Sequence, residues 1–361
     1  MNPKTNERNY GIDLYRIVCM VMIPCLHIMG WGGVLSETAR LTWNNEICWL
    51  LEIIAYSAPD GYALISGYVS YGKKQTYSSI IYRMIQATFY TVVTTALFSL
   101  SGQGNIGLKT IIAAILPVPF NVYWYFTSFF CMWFFIPVLN LYVERTSQDF
   151  QKKVIFWLLM IYSLLPTLFH NDFSIQNWGY SSVWLSILYV IGAYIRKYGL
   201  HRLEDNALKV CLHSVLLIWI SKIAIEIVTY KFFGTAKGGG YLIQYTSPFV
   251  VLCAVCLLLF FSKIEIKGSW LKVIRFFSPL TFGAYLVQEE PLIRNFFIKD
   301  KFCFLAHSNP FKMIFGVVLF ALVIWFIGSM IDWLRKLLFN VFKVEKLCQI
   351  IDEKISQTII T

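Results

Sequence analysis

The chain has 361 residues, 57% of them hydrophobic and 14% charged, with a mean hydropathy of +0.60. That much apolar side chain has no water-free place to go in an ordinary soluble domain, so the bilayer is the expected solvent. The formal charge of +11 does not point to nucleic acid, because the basic residues sit mainly in short loops between apolar runs, as the positive-inside rule requires.

The first apolar run, Gly11 to Trp31, has about 20 residues and is long enough to cross a bilayer as a helix. It nevertheless contains Asp13, Arg16 and His27, and ionisable groups at membrane depth are costly enough to mark function. With ten residues between them, Arg16 and His27 fall about 20° from a common face and about 16 Å apart along the axis. One stripe thus carries an anion binder towards one end and a base towards the other. The plainer alternative is a cationic anchor at the membrane edge plus a histidine satisfied by a neighbouring helix. Asp13, three residues before Arg16, is placed to position its guanidinium.

Further apolar runs follow at 46–70, 79–101, 121–143, 153–169, 181–197, 208–232, 242–263, 274–298 and 311–340, giving an all-α polytopic membrane protein of about ten transmembrane helices. The short run Gly107 to Leu116, ending at Pro117 and Pro119, reads as interfacial or re-entrant. Lys and Arg concentrate in alternate loops, which predicts both termini to be cytoplasmic. The N-terminus is polar and the first run is too long for a signal core, so no cleavable leader is expected. Residues 1–345 read as one membrane domain and 346–361 as a short cytoplasmic tail. The expected location is a cell membrane, most simply the bacterial plasma membrane.

Within these runs a few polar residues stand out. Ser66-Gly67-Tyr68 closes the second run: Gly67 permits close helix packing, and Ser66 or Tyr68 could bond a ligand. Asp60, after Pro59, is unpaired in sequence at mid-membrane depth and is expected to face a polar cavity. Glu52, Glu226, Glu289 and Glu290 lie at a depth from which a carboxylate could orient His27. Glu226 follows Lys222 by four residues and is better read as its ion-pair partner, whereas Glu52 has no local partner and is the leading candidate. Trp31, Trp43, Tyr123, Trp124 and Trp178 cluster towards one surface, mostly as interfacial aromatics. Nine scattered cysteines, including Cys253 and Cys256 inside an apolar run, form no disulfide framework, and no His and Cys cluster has metal-ligand spacing.

The Arg16 to His27 spacing in the first membrane helix resembles that of the acyltransferase-3 family of integral membrane O-acyltransferases. Ala63 to Tyr68 is similar to its Phe-Phe-x-x-Ser-Gly-Phe/Tyr block, and Tyr123-Trp124-Tyr125 with Pro137 and Asn140 to its Tyr-Trp-Phe…Pro-x-Leu-Asn segment. Ile191 to Tyr194 and Ser278 to Leu286 match late blocks, so the likeness runs from about residue 10 to about 340. The chain resembles the stand-alone type, without an attached extracytoplasmic hydrolase-like domain. The resemblance implies acetyl-coenzyme A as donor, with no metal, and a hydroxyl of an extracytoplasmic glycan or lipid-linked sugar as acceptor.

On that reading His27 is the general base, with Glu52 orienting it. An acyl-histidine intermediate is the competing mechanism. Arg16, Asp13 and Arg83 would form the donor phosphate site, with Ser66, Gly67 and Tyr68 beside it. Tyr123, Trp124 and Asp60 would contact the acceptor. Two departures stand out: many relatives have Arg-x-x-Arg where this chain has Arg83-Met84-Ile85-Gln86, and a His where it has Gln288. The missing guanidinium shifts phosphate binding towards Lys73, Lys74 or Arg275. A transporter or binding protein for a small polar solute such as an amino acid is the competing class. It should show paired broken helices or repeated halves, and neither is legible in the sequence.

Overall fold

The computed structural model describes residues 8–103, 106–174 and 176–360, which are helical with no strand among them. The helices of eight residues or more are α1 (Tyr10–Met29), α2 (Trp43–Tyr56), α3 (Ala58–Ser70), α4 (Tyr77–Leu100), α5 (Leu108–Ile115), α6 (Trp124–Trp133), α7 (Ile136–Arg145), α8 (Gln148–Leu159), α9 (Ser182–Tyr198), α10 (Ala207–Phe233), α11 (Pro248–Ser262), α12 (Ser269–Phe277), α13 (Thr281–Glu289), α14 (Pro310–Val341) and α15 (Val344–Ile360).

The side chain of Asn9 starts α1 by accepting from the Ile12 amide at 3.2 Å, satisfying a donor that a helix start leaves free. This helix is the hub of the bundle and packs against α2, α3, α11, α12, α13 and α14. Its residues Ile12, Tyr15, Cys19, Ile28 and Met29 are buried in that contact. The opposite situation holds at the periphery: Leu216, Ile220 and Ile227 on α10, and Phe315, Val323 and Phe326 on α14, are exposed. Such apolar faces belong in lipid rather than water.

Helix α3 lies against α9 at very close range. A Cβ on Gly67 would run into the Tyr189 carbonyl, and one on Gly192 into the Leu64 carbonyl. The contact therefore depends on two glycines, the small-residue device by which membrane helices approach backbone to backbone.

Among the described residues four helices are long and apolar enough to cross a membrane, Tyr10–Met29, Gln148–Phe169, Ala207–Phe233 and Pro310–Val341, or five if α6 and α7, bent by 58°, count as one span. This is fewer than the ten spans read from the sequence, because several apolar runs fold as broken pieces. The run 46–70 divides at Ser57, since Pro59 has no amide to donate to the preceding turn. A π turn over Met160–Leu164 stands just before Pro166, widening the helix where the proline removes a bond. The run 274–298 breaks at Pro279 and again at Glu290, whose carboxylate accepts from the amides of Leu292 and Ile293 at 2.8 and 2.9 Å. Broken helices thus do occur here, at prolines inside runs that hydropathy reads as continuous.

The stretch expected as a short tail, 346–361, falls up to residue 360 in the amphipathic helix α15, and Thr361 lies outside the described residues. Helix α15 docks on α4, where Asp352 Oδ1 accepts from the Tyr77 amide at the start of that helix at 3.2 Å.

Candidate active site

Two cavities meet inside the bundle. One, of about 300 Å³, is lined by His27, Glu52, Glu289, Arg294 and a wall of aromatic rings. The other, of about 720 Å³, is lined by Arg16, Lys73, Lys74, Arg83, Arg335 and Lys336. Tyr62, Tyr125 and Phe282 line both, so these three rings form the boundary between them. The Tyr62 hydroxyl lies 2.9 Å from Thr281 Oγ1, and its ring meets that of Tyr125 edge-on at 6.1 Å. Because Arg16 and His27 project from one helix, the two chemistries are held at a fixed separation of about 16 Å along its axis.

In the first cavity His27 Nε2 stands 2.9 Å from Glu289 Oε2, in ion-pair contact but off the line of a straight hydrogen bond. Arg294 Nη1 donates to the other oxygen, Glu289 Oε1, at 3.0 Å, and the Arg294 guanidinium lies 4.3 Å over the Trp31 ring. The break at Glu290 makes this possible by turning the chain so that Arg294 comes back over Glu289. His27 Nδ1 is buried and has no partner. With Nε2 committed to the carboxylate, Nδ1 is the ring nitrogen left to accept a proton.

The carboxylate at His27 is therefore Glu289 rather than Glu52. Glu52 lines the same cavity, but its Oε2 is unpartnered. The sequence did put Glu289 at the right depth, yet it could not show that the α13 end turns towards α1. Gln288, at the position where many relatives have His, is buried against Met20, its Nε2 3.8 Å from the thioether.

Behind the second cavity, whose wall includes Arg16 and Ser278, the Asp13 carboxylate accepts from Arg16 Nη1 at 2.9 Å, from Arg8 Nε at 2.5 Å and from Ser278 Oγ at 3.0 Å. Asp13 is thus a buried clamp that aims Arg16, as the three-residue spacing suggested. Arg83 donates to the Ser79 carbonyl at 3.3 Å and lies 5.6 Å over the Phe129 ring. Lys73, in the loop before α4, is held below the ordinary lysine value first by partial burial and then by Arg16, Arg196 and Arg8. Cations crowd this cavity more than their own carboxylates can balance, which is the electrostatic signature of an anion site.

The remaining candidates separate. Ser66 lines the cationic cavity, donating to the Tyr62 carbonyl at 3.0 Å. Gly67 serves the α3–α9 contact. Tyr68 lies under the Arg196 guanidinium at 5.2 Å and lines neither cavity. Asp60 is buried, accepts from Trp184 Nε1 at 3.0 Å, and lines neither of these two cavities. Tyr123 is likewise buried behind Tyr285, with ring centroids 6.2 Å apart, whereas Trp124 does line the His27 cavity. Arg275 donates to the Tyr10 hydroxyl at 2.8 Å and does not line the cationic cavity. Lys222 pairs with Glu226, as expected, and also with Glu46, each at 2.8 Å.

Sequence reasoning missed Arg335 and Lys336 near the end of α14, and the α15 residues Glu345, Cys348 and Gln349 that complete the cationic cavity. The i,i+3 pair Asp332–Arg335, joined at 2.7 Å, was a visible signal within an apolar helix. All nine cysteines are free, and no cluster of potential metal ligands occurs among the described residues.

A lipid-facing helical bundle of this kind, with ionisable groups gathered at internal cavities, is a multi-pass membrane protein. The family model described as an acyltransferase domain, Acyl_transf_3, matches residues 9–330, nearly the whole chain. The chain belongs to the acyltransferase-3 family and is a membrane acyltransferase. No curated protein and no solved structure gives a match.

Proposed function

We propose that this protein is an O-acetyltransferase that takes an acetyl group from cytoplasmic acetyl-coenzyme A and passes it to a hydroxyl of an extracytoplasmic glycan or lipid-linked sugar. The observation that carries this reading is the sharing of Tyr62, Tyr125 and Phe282 between a cationic cavity and a cavity holding His27. The coenzyme phosphates bind Arg16, Arg83 and Lys73, and the narrow pantetheine arm passes the three rings to bring the thioester to His27. Both termini are cytoplasmic and the membrane is the bacterial plasma membrane in this account.

His27 removes the acceptor hydroxyl proton as the oxygen attacks the thioester carbonyl carbon. Glu289 steadies the imidazolium that forms. The carbon–sulfur bond breaks, and the departing coenzyme A thiolate recovers the proton from the imidazolium. Net, one ester forms and one thioester is consumed. The test is labelled acetate on purified cell-surface glycan from cells carrying the wild type or His27→Ala at matched expression. Loss of label in the variant is expected, and equal label in both would end the catalytic role of His27.

A further inference from the structure

Among the described residues, Glu52 is the one carboxylate lining the His27 cavity without a hydrogen-bond or ion-pair partner. Glu289 is held by His27 and Arg294, and Glu290 by two backbone amides. Nearby, Glu46 and Glu226 share Lys222, and Asp60 accepts from Trp184. Glu52 makes no hydrogen bond or ion pair among the described residues, is only 7% exposed, and lines the cavity. A carboxylate at that depth without a counter-charge is unfavourable, and it is tolerated where a ligand supplies the missing partner.

The wall beside it suits a particular partner. Tyr56 stands one helical turn after Glu52 on α2 and lines the same cavity. Its ring stacks on Tyr245 at 4.6 Å, Tyr245 stacks on Trp124 at 5.8 Å, and Tyr180 packs on Trp124 at 4.3 Å. Electron-rich faces next to a carboxylate attract an organic cation. A neutral sugar could stack on these rings, but it offers the carboxylate hydrogen bonds and no counter-charge.

We propose that Glu52, with Tyr56, Trp124, Tyr180 and Tyr245, forms a subsite for a positively charged amine, and that the acceptor carries such a group near the hydroxyl to be acylated. The amine subsite stands by itself; its assignment to the acceptor rests on the acyl-transfer reading above. Glu52 is then a substrate-binding residue, and the orienting role belongs to Glu289.

Choline chloride is a suitable probe of the subsite, titrated into the purified full-length protein in detergent against sodium chloride of equal ionic strength and read by tryptophan fluorescence. Saturable binding is expected, weakened about tenfold in Glu52→Gln and kept within about threefold in Glu52→Asp. Equal binding by wild type and Glu52→Gln, or no saturable response in the wild type, would overturn the subsite. Coenzyme A release is then compared for an oligosaccharide bearing a free amine and for its N-acetylated form. The account expects a preference of about tenfold in kcat/KM for the free amine, lost in Glu52→Gln. Equal use of the two overturns the assignment to the acceptor. Choline binding with no coenzyme release from either would instead overturn the acyl-transfer reading and leave the subsite standing.

Discussion

His27 and Glu289 meet at 2.9 Å although they come from opposite ends of the chain, one on the central helix and the other at the final residue of α13. The meeting depends on two breaks, at Pro279 and at Glu290, that turn one apolar run into short helices. Arg294 completes the arrangement by fixing the far oxygen of Glu289. His27 is thereby held by side chains from other elements, with Nε2 facing Glu289 and Nδ1 free.

If Glu289 orients His27, Glu289→Gln keeps the shape and loses the charge that steadies the imidazolium. Its kcat should fall by about 10²-fold, within the range general bases contribute, with the KM for acetyl-coenzyme A within about twofold of wild type. Steady-state kinetics on purified protein separates this from a binding defect. A rise in donor KM with kcat unchanged would place Glu289 in donor binding instead.

The donor site predicts the converse pattern. Arg16→Ala removes a charged contact worth about 1.5–3 kcal/mol, so acetyl-coenzyme A binding should weaken by about 10- to 100-fold in equilibrium dialysis. Lys73 adds a pH signature. Burial and its cationic neighbours hold it below the ordinary lysine value in the free protein, and a bound phosphate raises it again. Donor affinity should therefore fall as pH rises through the lowered value, and Lys73→Met should remove that part of the profile.

The glycine contact between α3 and α9 can be tested apart from catalysis. Gly67→Leu forces a side chain into the Tyr189 carbonyl and should cost about 1–3 kcal/mol, seen as a lower melting temperature in detergent. Gly240→Ala is the matched control, because a Cβ there meets nothing within 4 Å, and its melting temperature should not move.

Much of this was legible before any coordinates. Helical periodicity alone placed Arg16 and His27 on one stripe, and the i,i+3 and i,i+4 spacings gave the Asp13–Arg16 and Lys222–Glu226 pairs. Hydropathy gave the membrane class. It read ten continuous runs where four or five described helices have the length and hydropathy of a span, because an apolar run looks alike whether it forms one helix or two pieces around a proline. The meeting of Glu289 with His27 was hidden for a different reason, because it comes from tertiary packing and has no local sequence signal; Arg335 carried a local signal in its i,i+3 pairing with Asp332, but not the cavity it reaches. The hydrogen bond from Trp184 to Asp60 was hidden for the same reason, its donor lying on a helix far along the chain.

The central claim is that one helix couples a donor site on one side of the membrane to a base serving an acceptor on the other. Its most direct test uses proteoliposomes with the glycan acceptor sealed inside and labelled acetyl-coenzyme A added only outside. Label should appear on the enclosed glycan with wild-type protein and not with His27→Ala. Label that appears only when donor and acceptor share a compartment would contradict the account.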